Sequence, residues 1–346
     1  MEKEQKKSPF SDSLAANENG LGLESLQNKL ERYGAIKTRA LGKIDYIMEN
    51  KAGKGKAAGK LSVLEKRARQ VVGKMERCGS YLVFKNFYRK DEVRLYAAEF
   101  CKNHLLCPFC AMRRGAKYLQ RYMERLQVVL AQNPRLRAFM VTLTVKDGEN
   151  LLERFNHLRG ALKRYQRQRR DAFDGKRQMT EYNKALGGVF SVEVKRGSGS
   201  GLWHPHVHMI WLCETAPDAH KLSAEWQEIT KDSYIVDVRE FYGDTVVDGF
   251  LEVFKYALKF SDMEYSDNWE AYLKLSGKRL VDNFGLFRGV EVPDTLTDDD
   301  LSDEPYLLML YRFLKGSGYN FVTQGNSEQL FDFLQRESYG QNVDSV

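Results

Sequence analysis

Apolar side chains follow two rhythms along this chain, and the change from one to the other divides it. Over residues 23 to about 50, Leu26, Leu30 and Tyr33, then Ile44 and Ile47, recur near helical spacing and predict a long helix. The stretch KAGKGKAAGK (51–60) breaks that rhythm and reads as a flexible basic linker. Helical patterns return over about 61–77 and 111–132, the second stopped by Asn133-Pro134. Between them, two runs rich in β-formers, 81–88 and 93–100, flank the turn Arg89-Lys90-Asp91-Glu92 and predict a hairpin.

From Ala138 onward the pattern shortens to strand length. AFMVTLTVK (138–146), GVFSVEVK (188–195) and PHVHMIWLC (205–213) are strand-like, with helical stretches at 150–172, 216–231 and 248–262. The nine residues RGSGSGLWH (196–204) between the second and third strands are too short for a helical crossover, so those strands are antiparallel neighbours. The expected class is α+β, with a central, mostly antiparallel sheet flanked by helices. Residues 1 to about 22 are polar and aperiodic, and are expected to be disordered. The predicted organisation is a tail, helix and linker over 1–60 and a helical and hairpin segment over 61–135. A sheet domain follows over 136–290, then an acidic tail or extension over 291–346.

Composition narrows the function classes. In 346 residues with 42% hydrophobic side chains, no apolar run approaches the roughly 18 residues that cross a bilayer. The charged N-terminus MEKEQKKSPF has no apolar segment behind it, so a cytoplasmic location and no membrane partner are expected. Five cysteines are too few and too odd in number for a disulfide scaffold, which points them toward metal or packing. The net charge of +7 conceals an asymmetry, because residues 291–346 carry three basic side chains against eleven acidic ones. The rest of the chain is therefore strongly basic, as suits a polyanionic partner.

Four clusters carry candidate chemistry. In WHPHVHMIW (203–211), strand alternation sends His204, His206 and His208 to one face. Three of the chain's six histidines within five residues point to a divalent metal site, since neutral imidazole is a common ligand. Glu193 is the candidate carboxylate, because the glycine-rich turn folds its strand back beside the histidines. Over 248–260, Glu252, Tyr256 and Lys259 share a narrow helical sector opposite Phe250, Val253, Phe254, Ala257 and Leu258. A tyrosine is a credible nucleophile toward phosphate when a cation withdraws the phosphate's charge, and Glu252 could activate water instead. A solvated Glu-to-Lys ladder is the plainer alternative.

Cys107 and Cys110 form a thiolate knuckle, and Cys78 and Cys101 sit at the ends of the predicted hairpin. Together they suit a tetrahedral structural Zn²⁺, with His104 able to replace one thiol and buried free thiols as the alternative. Cys213 reads as core. Finally, residues 154–177 hold nine Lys or Arg against two Asp, and Arg159, Lys163, Arg167 and Arg170 recur as one basic face suited to phosphate contacts.

Taken in order, FMVTLTVKD (139–147), WHPHVHMIW (203–211), EVFKYALK (252–259) and GKRLVDNFGLF (277–287) resemble the HUH endonuclease superfamily. Within it the chain is most similar to replication initiators of small rolling-circle plasmids, in a branch with one tyrosine and a cysteine-rich zinc motif. The resemblance covers roughly 60–290. It implies a five-stranded antiparallel sheet carrying Mg²⁺ or Mn²⁺, and site-specific nicking of single-stranded or hairpin origin DNA. By that likeness His206, His208 and Glu193 hold the metal, with His204 beside them. Tyr256 forms a 5′-phosphotyrosine and frees a 3′-OH primer, Lys259 assists it, and Glu252 supports the terminating cleavage. Arg113 and Arg114 match the arginines that follow the family's cysteines, and Lys255 joins the expected DNA contacts. Host helicase and polymerase are the expected further partners. The alternatives are an HUH transposase or relaxase, and a non-catalytic zinc-containing DNA-binding regulator.

Overall fold

The structure, a computed structural model, describes residues 25–241, 249–250, 253–254, 260, 262–290 and 304–330. The chain is α+β and divides into two compact units, Met1–Ala111 with Thr295–Val346, and Met112–Asp294.

In the first unit, helix α1 (Leu26–Asn50) begins at Ser25, whose side chain accepts from the Asn28 amide. Helix α2 (Val63–Arg77) opens with a reciprocal capping box between Ser62 and Glu65, which satisfies two amides that the first turn leaves over. Strands β1 (Tyr81–Phe87) and β2 (Glu92–Ala98) form the expected hairpin. The buried stripe of α1, including Ile36, Ala40 and Ile44, packs against α2, and Tyr33 meets the rings of Phe84 and Phe109.

Two sequence expectations change here. The basic stretch 51–60 is pinned: Arg69 of α2 donates to the carbonyls of Ala52, Gly53 and Lys56 at 2.9, 3.0 and 3.1 Å, and Ala52 is buried. The acidic extension is also more than a tail. Its residues Leu307–Leu314 (β8) and Gly318–Gly325 (β9) complete a four-stranded antiparallel sheet in the order β2-β1-β8-β9. LLMLYRF (307–313) is apolar enough to be a strand, but the acid count of the surrounding segment masked it. The acidic run 291–303 and the N-terminal residues 1–24 lie outside the described residues.

The second unit receives most of helix α3 (Pro108–Gln132), which starts on proline, a residue that suits a first helical position. Its sheet runs β6-β3-β5-β4-β7, from β3 (Arg137–Thr144), β4 (Ala185–Arg196), β5 (Trp203–Cys213), β6 (Val236–Phe241) and β7 (Val281–Gly285). All its pairings are antiparallel, and β4 and β5 are neighbours through the glycine-rich turn. Helix α4 (Leu151–Phe173) is capped by Asn150, helix α5 (Ala219–Thr230) by Asp218, and α6 is Tyr265–Leu275.

Alternation along β5 gives the sheet two different faces. Trp211, on one face, stacks on Tyr182 at 4.8 Å, and Tyr182 in turn meets Tyr165 of α4 and Phe284 of β7. Gly188 lies between Trp211 and Phe284 in register, and a Cβ there would come within 2.7 Å of the Phe284 ring and 2.3 Å of the Ile210 carbonyl oxygen. The histidines occupy the opposite face. No described helix is long and apolar enough to cross a membrane.

Candidate functional site

Register assembles the site. Across β5, His206 pairs with Glu193 of β4 and Thr144 of β3, while His208 pairs with Ser191 and Thr142. Directly paired residues of antiparallel strands share a face, so the carboxylate and both imidazoles converge. His206 Nε2 lies 3.5 Å from Glu193 Oε1, and His208 Nε2 lies 3.5 Å from Glu193 Oε2. The three ligand atoms fall within 4.8 Å of one another.

These distances fit a shared cation. Donors held about 2.1 Å from one ion are separated by about 3 to 3.5 Å. The electrostatics agree, because Glu193 and His206 are buried and a buried carboxylate is stable only when a positive group compensates it. Burial holds the His206 imidazole toward its neutral, ligating form, against the opposing pull of Glu193. The ring nitrogens away from Glu193 are engaged: His208 Nδ1 is 3.0 Å from Thr142 Oγ1, and His206 Nδ1 is 3.4 Å from the His204 carbonyl. With Nδ1 carrying the proton, each Nε2 presents its lone pair to the centre.

His204 does not join this group. Its Nδ1 is 2.5 Å from Asp147 Oδ1, and Asp147 Oδ2 accepts from Ser200 in the glycine-rich turn at 2.5 Å. Despite partial burial, the bonds from Ser200 and His204 hold the Asp147 carboxyl below the usual carboxylate range. Asp147 thus locks both His204 and the turn beside the site. Thr142 and Asp147 were not singled out from sequence, although both lie in the strand motif FMVTLTVKD. For Thr142 the signal was the strand's own alternation, which puts Thr142 and Thr144 on one face, whereas Asp147 lies beyond the end of β3.

Glu252, Lys255, Tyr256 and Lys259 lie outside the described residues. The apolar side of the same segment is described in part: Phe250, Val253 and Phe254 are fully buried. Phe254 stacks on Tyr122 of α3 at 5.0 Å, and the Tyr122 hydroxyl accepts from Asn283. Asn283 shares the histidine face of the sheet, since it pairs with Val189, two residues from Ser191.

The second cluster is in the first unit. Cys78, Cys101, Cys107 and Cys110 converge, with Sγ separations of 3.5 Å for 101–110 and 3.6 Å for both 78–110 and 78–107. A zinc–thiolate tetrahedron with bonds of about 2.3 Å has sulfurs about 3.8 Å apart, whereas a disulfide needs about 2.05 Å, so the four sulfurs fit zinc. His104 is not one of the four. Lys37 was missed by the sequence reading: it is buried, and its Nζ donates to the carbonyls of Glu76 and Cys78, each at 2.7 Å. Burial pushes its ammonium down, and charge on Cys78, Cys107 and Cys101 pushes it back up. Its signal was a lysine beside Ile36 in an apolar helical stripe.

Among the expected DNA contacts, Arg113, Arg114, Lys163, Arg167 and Arg170 are exposed. Arg114 donates to the Tyr118 hydroxyl, and Arg167 faces Asp171 at 3.7 Å. Arg159 is half-buried and donates to the Arg279 carbonyl at 2.7 Å, so the α4 basic face is shorter than its spacing suggested. Cys213 is buried, as expected.

Comparison with known proteins supplies an independent line. Residues 92–308, more than half the chain, match the sequence profile of a family described as "Replication protein". "Protein rep" of Streptococcus pneumoniae serotype 2 (strain D39 / NCTC 7466) is 27% identical over 257 residues, covering 68% of this chain and 76% of that protein. "Protein rep" of Lactiplantibacillus plantarum is 27% identical over 205 residues, covering 57% and 59%. "Protein rep" of a Bacillus species is 25% identical over 270 residues, covering 66% and 82%. No solved structure matches the chain significantly.

Proposed function

Because this chain belongs to that replication-protein family, we propose that it initiates plasmid rolling-circle replication by nicking origin DNA through a tyrosine. The observation that carries the reading is the Glu193–His206–His208 group on adjacent strands, with Glu193 and His206 buried, His208 half-buried and the three ligand atoms within 4.8 Å. A divalent cation, Mg²⁺ or Mn²⁺, held there supplies Lewis-acid polarisation of a phosphodiester.

Tyr256 is the proposed nucleophile. Its Oη gives up its proton to solvent and attacks phosphorus, the bond to the 3′ oxygen breaks, and that oxygen takes up a proton and leaves as a 3′-OH primer. The DNA 5′ phosphate remains on the tyrosine. Lys259 stabilises charge on the phosphoryl oxygens, and Glu252 activates water for the terminating cleavage. Phe250, Val253 and Phe254, neighbours of Tyr256 in sequence, are buried, and Phe254 stacks on Tyr122 of α3, whose hydroxyl accepts from Asn283 on the histidine face, which supports the reading. Arg113, Arg114, Lys163, Arg167, Arg170 and Lys255 are proposed phosphate contacts, and zinc on the four cysteines a structural ion. The primer would then pass to a host helicase and polymerase.

The test is incubation of the protein with Mn²⁺ and single-stranded oligonucleotides from its replicon, followed by a denaturing gel and peptide mapping. A metal-dependent adduct on Tyr256, absent in Tyr256→Phe, is expected. Glu252→Ala should keep the first nick and accumulate uncompleted product. DNA binding without any adduct would instead identify a zinc-containing DNA-binding regulator.

A further inference from the structure

On the sheet face opposite the histidines, Tyr182 and Phe284 floor a cavity of about 180 Å³ that α4 and the segment after β7 enclose with Arg169, Arg170 and Arg288, with Phe173 at its rim. From this we infer a second DNA site, a pocket that takes one unpaired nucleotide of a single strand, its phosphate on the arginines and its base on Phe173. The inference rests on the replication-initiator reading and adds a place that the metal chemistry does not use.

Among the described residues, none of the three guanidinium groups is in an ion pair. Arg169 is half-buried, donates both Nε and Nη2 to the Ala185 carbonyl, and feels the positive charge of Arg288. Arg288 donates to the Asn283 carbonyl, and the nearby Asp282 is taken by Arg279 at 3.3 Å. Three guanidinium groups that line one cavity without an ion pair to a carboxylate repel one another, and an anion among them removes that repulsion.

Shape and aromatic lining then select the anion. Arg169 sits against three rings, 4.8 Å from Phe173, 5.6 Å from Tyr182 and 5.2 Å from Phe284, which fixes its fork in one orientation. Phe173 is 48% exposed at the end of α4 and presents a ring to solvent beside the arginines. An exposed aromatic face next to a fixed guanidinium is the arrangement on which unpaired bases stack, and stacking accepts any base. A duplex has no free base to offer, so the pocket favours single strands.

The test measures binding of the full-length protein to a fluorescent single-stranded oligonucleotide and to its duplex across a salt series. Phe173→Ala and Arg288→Gln alter partly exposed positions. Phe173→Ala should weaken single-strand binding about fivefold or more with little change for duplex, and Phe173→Trp should restore it. Arg288→Gln should weaken it and flatten the salt dependence of log K by about 0.7. A nucleoside monophosphate should compete better than inorganic phosphate. Equal competition by the two makes this a plain anion site and overturns the nucleotide pocket. Unchanged single-strand affinity in both variants, with wild-type binding intact, removes the pocket while leaving the initiator reading standing. A wild-type protein that binds no single strand overturns both.

Discussion

At the residue scale, the site depends on hydrogen bonds that orient its ligands. Thr142 is the clearest case, since its hydroxyl holds His208 Nδ1 at 3.0 Å while Nε2 faces Glu193. Thr142→Val keeps the side-chain shape and removes that partner, so the imidazole loses its fixed tautomer and orientation. The expected result is Mn²⁺ affinity lower by about tenfold or more, read by calorimetry, with thermal stability little changed. Affinity equal to wild type would mean that strand geometry alone orients the ring. Much of this centre was legible in sequence, because period-two alternation placed the histidines and a short turn brought Glu193 beside them. The partner that holds His204 was not: Asp147, 57 residues earlier, bonds its ring. Lys37 escaped for a related reason, since only the fold reveals the α2 carbonyls and thiols around a lysine in an apolar stripe.

Among the elements, the described long helices and the β1–β2 hairpin follow the sequence pattern, whereas β6, β7 and the helix Tyr265–Leu275 were not expected from it. The helices over 61–77 and 150–172 show strong caps and clear stripes, and β3 to β5 are runs of β-formers. Strands β6 and β7 are short, with VDVREF and VDNFG offering little alternation, so their partners rather than their residues make them strands. The glycine- and lysine-rich stretch 51–60 looked flexible because its restraint comes from Arg69 and from Lys56, which bonds Glu65 at 2.7 Å. That bond, with the Ser62 cap, holds the Glu65 carboxyl down to about 2. A carboxyl lowered in the folded state stabilises above its unfolded value, about 4.3, and loses that contribution as pH falls toward about 2. Lys56→Ala should therefore raise the Glu65 pKa, followed by carboxyl NMR, and soften the loss of stability over that acid window. An unmoved Glu65 titration would leave the Ser62 cap as its main determinant.

For the whole molecule, segments separated in sequence by the unit that carries the histidine strand meet in one sheet. Strand β8 pairs with β1 along Tyr81 to Asn86, and Val83, Leu308, Leu310 and Leu330 form a buried cluster. Composition could not show this, because eleven acidic residues over 291–346 dominate the charge while the apolar strand within them is short. The consequence is that the segment is structural. Burying a large apolar side chain is worth about 1.5–3 kcal/mol, so losing Leu308, Met309, Leu310 and Tyr311 removes stability comparable to the whole margin of an ordinary domain, about 5–15 kcal/mol. A chain ending at residue 303 should therefore lose hydrogen-exchange protection over 81–98 and become protease-sensitive there. The five-stranded sheet, which contains no strand from 304–330, should keep its protection over 203–213. Equal protection of 81–98 in the full and shortened chains would show that the hairpin stands without β8. For the same reason, any effect of the acidic run on DNA affinity has to be measured by neutralising Asp298, Asp299 and Asp300 in the full chain, since deletion removes half of a sheet along with the charge.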